Sequence, residues 1–182
     1  MSFNVELIKN DFSNDYVITK VLPRKNEILR PKVTNIDQLL IVVSKTPKPD
    51  FYLVDKLIIN AYANNIDPII VINKLDLFTK EEINDIVNQY KDVVDSIILT
   101  SAIESNLSSL KDILKGKVSV FAGQSAVGKS SLINCIDNNI NQSTNILSRK
   151  VERGKHTTRE CTIFVLKDNI MIADTPGFSM LE

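Results

Sequence analysis

From Leu39 onward the chain alternates between short apolar runs and amphipathic stretches. "LLIVVS" (39–44) and "PIIVIN" (68–73) are apolar without interruption, as strands buried on both faces require. "SIILT" (96–100) and "KVSVFA" (117–122) read as further strands. Between them, 50–65 sets Phe51, Val54, Leu57, Ile58 and Ala61 at helical spacing, with Asp50 as N-cap. The stretch 79–90 opens on Thr79 followed three residues later by Glu82, a capping box. A short helix is predicted over 106–114, with Gly116 suited to its end, and another over 128–136. "CTIFVL" (161–166) and "IMIAD" (170–174) read as strands joined by "KDN" in a hairpin.

The flanking and linking segments differ. Near the start, "YVITKVL" (16–22) and "NEILRP" (26–31) read as short strands broken by Pro23 and Pro31. Two isolated strands are marginal, so they must pack on something larger. The segment 137–156 is polar, rich in Asn and Ser, and reads as a mobile linker. Strands alternating with helices predict an α/β fold with an open, mostly parallel sheet. In such a sheet ligands bind at the carboxyl ends of the strands.

Composition narrows the class without choosing it. The 182 residues suffice for one domain with a real core. Lys plus Arg equals Asp plus Glu at 22 each, so overall charge gives no argument for nucleic-acid binding. Cys135 and Cys161 lie in no CxxC or Cys/His cluster, which excludes a zinc site and suits apolar filler in a reducing compartment. No apolar stretch is long enough to span a bilayer, and the N-terminus lacks a signal-peptide layout, so a cytoplasmic protein is expected.

The chemistry concentrates in loops that follow predicted strands. "GQSAVGKS" (123–130) satisfies G-x-x-x-x-G-K-[ST] between a strand and a helix. Gly123 and Gly128 let the backbone curl so that the N–H groups of Gln124, Ser125, Ala126 and Val127 can face one phosphate. The following helix N-terminus adds partial positive charge. Lys129 would reach the β- and γ-phosphates, Ser130 would ligate Mg²⁺, and Ser131 would offer its N–H.

"NKLD" (73–76) follows "PIIVI". The Asp76 carboxylate can accept from N1–H and N2–H₂ of guanine, donors that adenine lacks at those positions. Asn73 would brace the loops, and the Lys74 stem would lie along the base. "TSA" (100–102) ends the next strand, and Ser101 and Ala102 could hold guanine O6 through backbone N–H groups. "DTPG" (174–177) follows "IMIA"; Asp174 would hold Mg²⁺ through water, and the Gly177 N–H would touch the γ-phosphate. "GKHTTRE" (154–160) offers Thr157 or Thr158 to Mg²⁺, with Thr158, just before Arg159, preferred. His156, the one histidine of the chain, is either a solvated loop residue or a group that orients the attacking water.

In ordinary GTPases the phosphate loop comes first and the NKxD stretch late. Here "NKLD" precedes the phosphate loop. The usual last helix packs near the usual first strand, so the original termini can be joined through a short link and the chain opened elsewhere. Residues 114–118, passing through Gly116, would be that link. Five loops at strand ends would then surround one guanine nucleotide in a six-stranded sheet.

"RKNEILRP", "VTNIDQLLIVVS", "NKLD", "FAGQSAVGKSSLIN", "RGKHTTRE" and "ADTPGFS" together resemble the circularly permuted GTPases of the small ribosomal subunit biogenesis GTPase A family of bacteria. The resemblance runs from about Asn26 to the end. It implies a permuted P-loop GTPase domain over 36–182 that binds GTP and GDP and hydrolyses GTP with Mg²⁺, slowly alone and faster on the small ribosomal subunit. It also implies that the partners are that subunit and its rRNA. Lys129, Ser130, Thr158 and Asp174 fall on the family's nucleotide and metal positions, Asn73, Lys74 and Asp76 on its base-reading positions, and His156 on its switch histidine. Phe178 follows DTPG where Ras-like enzymes carry a water-orienting Gln, and an apolar ring cannot position water.

Three departures from the family are visible. It usually has Gly where this loop has Ala126, and an alanine costs stability there if the backbone needs positive φ. Residues 1–35 are too few for its five-stranded oligonucleotide-binding barrel and read as a partial β segment. Its zinc domain, with Cys and His ligands, is expected to be absent from this chain. A monomer without membrane attachment is expected. A guanine-nucleotide-dependent binding module with little turnover, and an ATP-using P-loop enzyme, are the alternatives.

Overall fold

The computed structural model describes residues 4–10, 15–29, 32–101, 107–136 and 162–174. Among them, strands β1 (Val5–Lys9) and β2 (Tyr16–Val21) form an antiparallel hairpin, and β3 (Glu27–Leu29) and β4 (Lys32–Thr34) form a second antiparallel pair. The central sheet contains β5 (Gln38–Val43), β6 (Asp67–Ile72), β7 (Ser96–Leu99), β8 (Val118–Ala122), β9 (Thr162–Val165) and β10 (Met171–Asp174). Four helices accompany it among the described residues: α1 (Phe51–Ala63), α2 (Lys80–Tyr90), α3 (Ser108–Leu114) and α4 (Lys129–Ile136).

The sheet order is β7-β6-β5-β8-β10-β9, parallel throughout except for β9, which runs antiparallel to β10. This is the expected six-stranded, mostly parallel sheet. Its central strands are apolar on both faces because helices cover both. Leu39, Ile41 and Val43 of β5 and Ile70 and Ile72 of β6 pack with Val54, Leu57, Ile58 and Ala61 of α1 and with Ile86 and Tyr90 of α2. Leu40 and Val42 of β5 and Ile69 and Val71 of β6 turn the other way, onto Leu110 and Leu114 of α3 and Leu132 and Ile136 of α4. The strand order reverses between β5 and β8, and a crevice opens at such a switch point beyond the strands' carboxyl ends.

The predicted caps hold. The Asp50 side chain accepts from the Leu53 N–H. Thr79 and Glu82 form both halves of the capping box. Past α3, Gly116 adopts φ +67°, which glycine reaches without strain. The β9–β10 hairpin turns through Lys167–Asn169, where Asp168 and Asn169 take positive φ, a conformation that short polar side chains tolerate.

Two strands escaped the sequence reading. β1 carries "VELIK" with no buried face, so no apolar stripe announces it; pairing with β2 makes it a strand. Pro31 was expected to end the chain's second strand, yet β4 resumes at Lys32 and pairs back onto β3. Ile28 and Val33 of that pair enter the core against α1 and β5, which gives the N-terminal segment the packing partner it needs.

The link between α3 and β8 is fastened from across the sheet. Asp37 donates its N–H to the Val118 carbonyl at 2.9 Å, and its carboxylate accepts from the Val118 N–H at 2.7 Å. The Gln38 side-chain amide, buried, donates to the Ile113 carbonyl and to Ser119 Oγ, both at 2.9 Å. Short connection and sheet are thus held in register, as the rotated order of elements requires.

Candidate functional site

The loop 123–128 leaves β8 and enters α4, and two glycines seat it, one against the backbone of β5 and the other against the Asn73 side chain. Gly123 has φ +124°, and a Cβ there would stand 2.3 Å from the Val42 carbonyl oxygen at the end of β5. Gly128 has φ +100°, and a Cβ there would stand 2.4 Å from Asn73 Nδ2. Both positions therefore require glycine for space as well as conformation. Ala126 takes φ +64°, so the anticipated conflict of alanine with a left-handed backbone is present. Val127 is fully buried in the core between the sheet and α4, anchoring the loop from below.

Lys129 curls back over this ring. Its Nζ donates to the Gly123 carbonyl at 2.7 Å and the Gln124 carbonyl at 2.6 Å. Burial pulls its ammonium below the ordinary pKa of 10.5. An arriving phosphate would compensate that lost hydration. Ser130 and Ser131 follow in the first turn of α4 with exposed side chains, as does Ser125 within the loop.

Residues 73–76 meet the phosphate loop directly. Asn73 is buried, its Nδ2 donates to the Val127 carbonyl at 2.9 Å, and its own N–H bonds the Val43 carbonyl. Its Oδ1 has no hydrogen-bond partner among the described residues. A buried acceptor left open at the crevice is a place for a donor from a ligand or a neighbouring loop. Lys74 adopts φ +60° and donates from Nζ to the Ala126 carbonyl at 2.8 Å and the Thr46 carbonyl at 2.9 Å. Asp76 sits in the short turn Leu75–Leu77, and its carboxylate accepts from the Ser101 hydroxyl at 3.2 Å. Ser101, buried, thus ties the end of β7 to the loop after β6.

Through the Asn73 bond to Val127 and the Lys74 bond to Ala126, the phosphate-loop and NKLD segments form one connected edge of the sheet. Asp174 ends β10, whose neighbour β8 runs into the phosphate loop, so its backbone reaches the same edge. Ala102, His156, Thr158 and Gly177 lie outside the described residues, as do 137–156 and Phe178. For Mg²⁺, the oxygen donors expected at Ser130, in the first turn of α4, and at Asp174, at the end of β10, fit by type. For a guanosine phosphate, the glycine cradle, the retracted Lys129 and the open Asn73 Oδ1 fit as a set.

Sequence reasoning missed the loop 44–50. It receives Lys74 at Thr46 and the Gln124 side chain at Lys48 and Asp50. Lys45 pairs with Glu82 at 2.8 Å; this bond and the Thr79 N–H hold the Glu82 carboxyl below its usual pKa. Its polar residues and prolines look like an ordinary connection, and no sequence signal singles them out. No helix among the described residues is long and apolar enough to cross a membrane.

A family model described as RsgA GTPase matches residues 21–182. The small ribosomal subunit biogenesis GTPase RsgA of Caldanaerobacter subterraneus subsp. tengcongensis is 45% identical over 168 residues, covering 91% of this chain and 57% of that protein. Its namesake in Alkaliphilus metalliredigens is 43% identical over 181 residues, covering 98% and 62% respectively. Among solved structures, YjeQ from Thermotoga maritima superposes with a TM-score of 0.78 at 34% identity, covering 99% of this chain and 61% of the other. YloQ, described as a circularly permuted GTPase, gives 0.71 at 30% identity, covering 99% and 57%. The chain spans less than two thirds of the length of each of these relatives.

Proposed function

Because the chain belongs to the RsgA GTPase family, we propose that it binds GTP and GDP with Mg²⁺, hydrolyses GTP, and acts in biogenesis of the small ribosomal subunit. The observation that carries this reading is the Asn73 bond to the Val127 carbonyl. It joins a guanine-reading motif to a phosphate-binding loop across 54 positions of sequence. Unrelated turns would have no reason to meet.

In this reading Asp76, oriented by Ser101, accepts from the guanine edge, and Lys74 lines the base. The loop from Gly123 to Val127 wraps the phosphates with backbone N–H groups, and Ser131 adds its own. Lys129, seated by the Gly123 and Gln124 carbonyls, turns a remaining donor of its ammonium to the β- and γ-phosphates. Ser130, Thr158 and Asp174 would hold Mg²⁺, which when bound neutralises charge on the phosphate oxygens. Gly177 contacts the γ-phosphate, Ala102 the guanine O6, and His156 orients water. Residues 36–182 form the permuted GTPase domain, preceded by a β segment over 1–35. The partners are the small ribosomal subunit and its rRNA, met by a monomer in the cytoplasm.

Calorimetry with GTP, GDP and ATP, each with Mg²⁺, tests the binding step: tight GDP and GTP binding with no ATP binding is expected, and equal ATP binding would refute base reading by Asp76. Single-turnover hydrolysis with and without small subunits tests the rest. An unchanged rate would leave a guanine-nucleotide-dependent binding module rather than a stimulated enzyme.

A further inference from the structure

The second residue of the phosphate loop is gripped from outside the ring. Gln124 Nε2 donates to the Lys48 carbonyl at 3.2 Å, and its Oε1 accepts from the Asp50 N–H at 3.0 Å. A primary amide offers donors on one atom and an acceptor on the other. Here they meet a C=O and an N–H two positions apart in sequence, so the side chain is fixed in tilt as well as in place. Asp50 is itself anchored, since its carboxylate caps α1 through the Leu53 N–H at 3.1 Å. The grip therefore runs from the start of a core helix to the entry of the loop.

The backbone of the same residue faces inward. Its carbonyl takes the Lys129 ammonium at 2.6 Å, beside the Gly123 carbonyl at 2.7 Å. The peptide that receives Lys129 thus belongs to the one loop residue whose side chain is clamped to Lys48 and Asp50. Glycines at 123 and 128 permit the curl but cannot hold it, because the same freedom lets the loop open. A loop already curled loses less freedom when it closes on a phosphate, and that saving appears directly as affinity.

We propose that Gln124 is a positioning residue for nucleotide binding: its amide, clamped between the Lys48 carbonyl and the Asp50 N–H, presets the phosphate loop and, through its own carbonyl, the Lys129 ammonium. The proposal rests on the guanine-nucleotide reading above and deepens it. It assigns the side chain a duty in the nucleotide-free state, apart from the backbone contact expected of this position.

The test uses Gln124→Met, near in shape but unable to make either bond, and Gln124→Asn, one methylene too short to span both. Affinities for GDP and GTP with Mg²⁺ are measured by calorimetry, Asp50 amide exchange by hydrogen–deuterium exchange, and melting of the nucleotide-free chain by calorimetry. Both variants are expected to bind GDP and GTP about tenfold more weakly, a loss of ~1.4 kcal/mol. Preference for GTP over xanthosine triphosphate should not change, Asp50 exchange should rise, and the melting temperature should stay within about 2 °C of the parent. A merely structural residue would instead lower the melting temperature and leave affinity intact, and that result overturns the proposal. So does affinity within about twofold of the parent while Asp50 exchange rises. If Gln124→Met no longer unfolds cooperatively, Gln124→Asn decides by the same criteria. A parent chain that binds neither GDP nor GTP overturns the guanine-nucleotide reading and this proposal together; a parent that binds while both variants match it overturns this proposal alone.

Discussion

Asn73 and Gly128 stand so close that a single added methyl would put carbon 2.4 Å from the Asn73 amide nitrogen. That nitrogen is already committed to the Val127 carbonyl. Gly128→Ala must therefore push Asn73 away or uncurl a residue held at φ +100°. The expected outcome is loss of GDP binding by more than about a hundredfold, since both loops move at once. Calorimetry with GDP and Mg²⁺ checks it, and binding near the parent level would mean that the two loops are not coupled.

Asp76 is aimed by Ser101, and the two side chains should be separable by experiment. Asp76→Asn replaces one carboxylate acceptor with a donor where the proposed reading places the guanine edge. GTP affinity should fall by about two orders of magnitude, and preference over xanthosine nucleotides should relax, as loss of a charged hydrogen-bonding group predicts. Ser101→Ala, which removes the hydroxyl from which Asp76 accepts, should cost about 1 kcal/mol in affinity and keep selectivity. A competition assay with GTP and xanthosine triphosphate reads both, and unchanged selectivity in Asp76→Asn would remove its base-reading role.

Ala126 holds φ +64°, where its Cβ crowds the backbone. Ala126→Gly relieves that strain, while the unfolded chain gains freedom. The strain is the larger of the two, so the net gain should be about 0.5–1 kcal/mol. The melting temperature of the nucleotide-free chain should rise by about 1–4 °C. A fall would show that alanine suits this loop.

Asp37 fastens the link into β8, and its pKa carries a pH signature. Burial alone would raise the carboxyl, but the hydrogen bonds from Lys25 and from the Val118 N–H outweigh it and hold the pKa below 3.8. A depressed folded pKa contributes stability that is complete above 3.8 and disappears as pH falls through the lower folded value. Acid unfolding of the parent should therefore steepen below about pH 4, and Asp37→Ala should flatten it there. At neutral pH the variant should lose about 1–2 kcal/mol, chiefly from the unpaired Val118 N–H. Denaturant melts at a series of pH values measure both.

Most of the fold was legible because its signals are local. A strand buried on both faces must be apolar throughout, so 39–44 and 68–73 announce themselves, and Asp50, Thr79 and Glu82 mark helix starts by chemistry acting within one turn. β1 was not legible, because a strand exposed along most of its length has no apolar face to betray it. The phosphate loop and NKLD were legible as motifs for the same local reason: their glycines, lysines and carboxylate sit at strand ends.

Which of these segments touch was decided elsewhere. The Gln124 side chain reaches Asp50 across 74 positions, and the Val118 N–H reaches Asp37 across 81. Periodicity describes one element at a time, whereas those bonds exist only once β8 has chosen β5 as its neighbour. Residue types alone name the chemistry available at each loop. Packing of two helical layers on one sheet sets its geometry, because a hydrogen bond demands position to a few tenths of an ångström and a run of apolar residues does not.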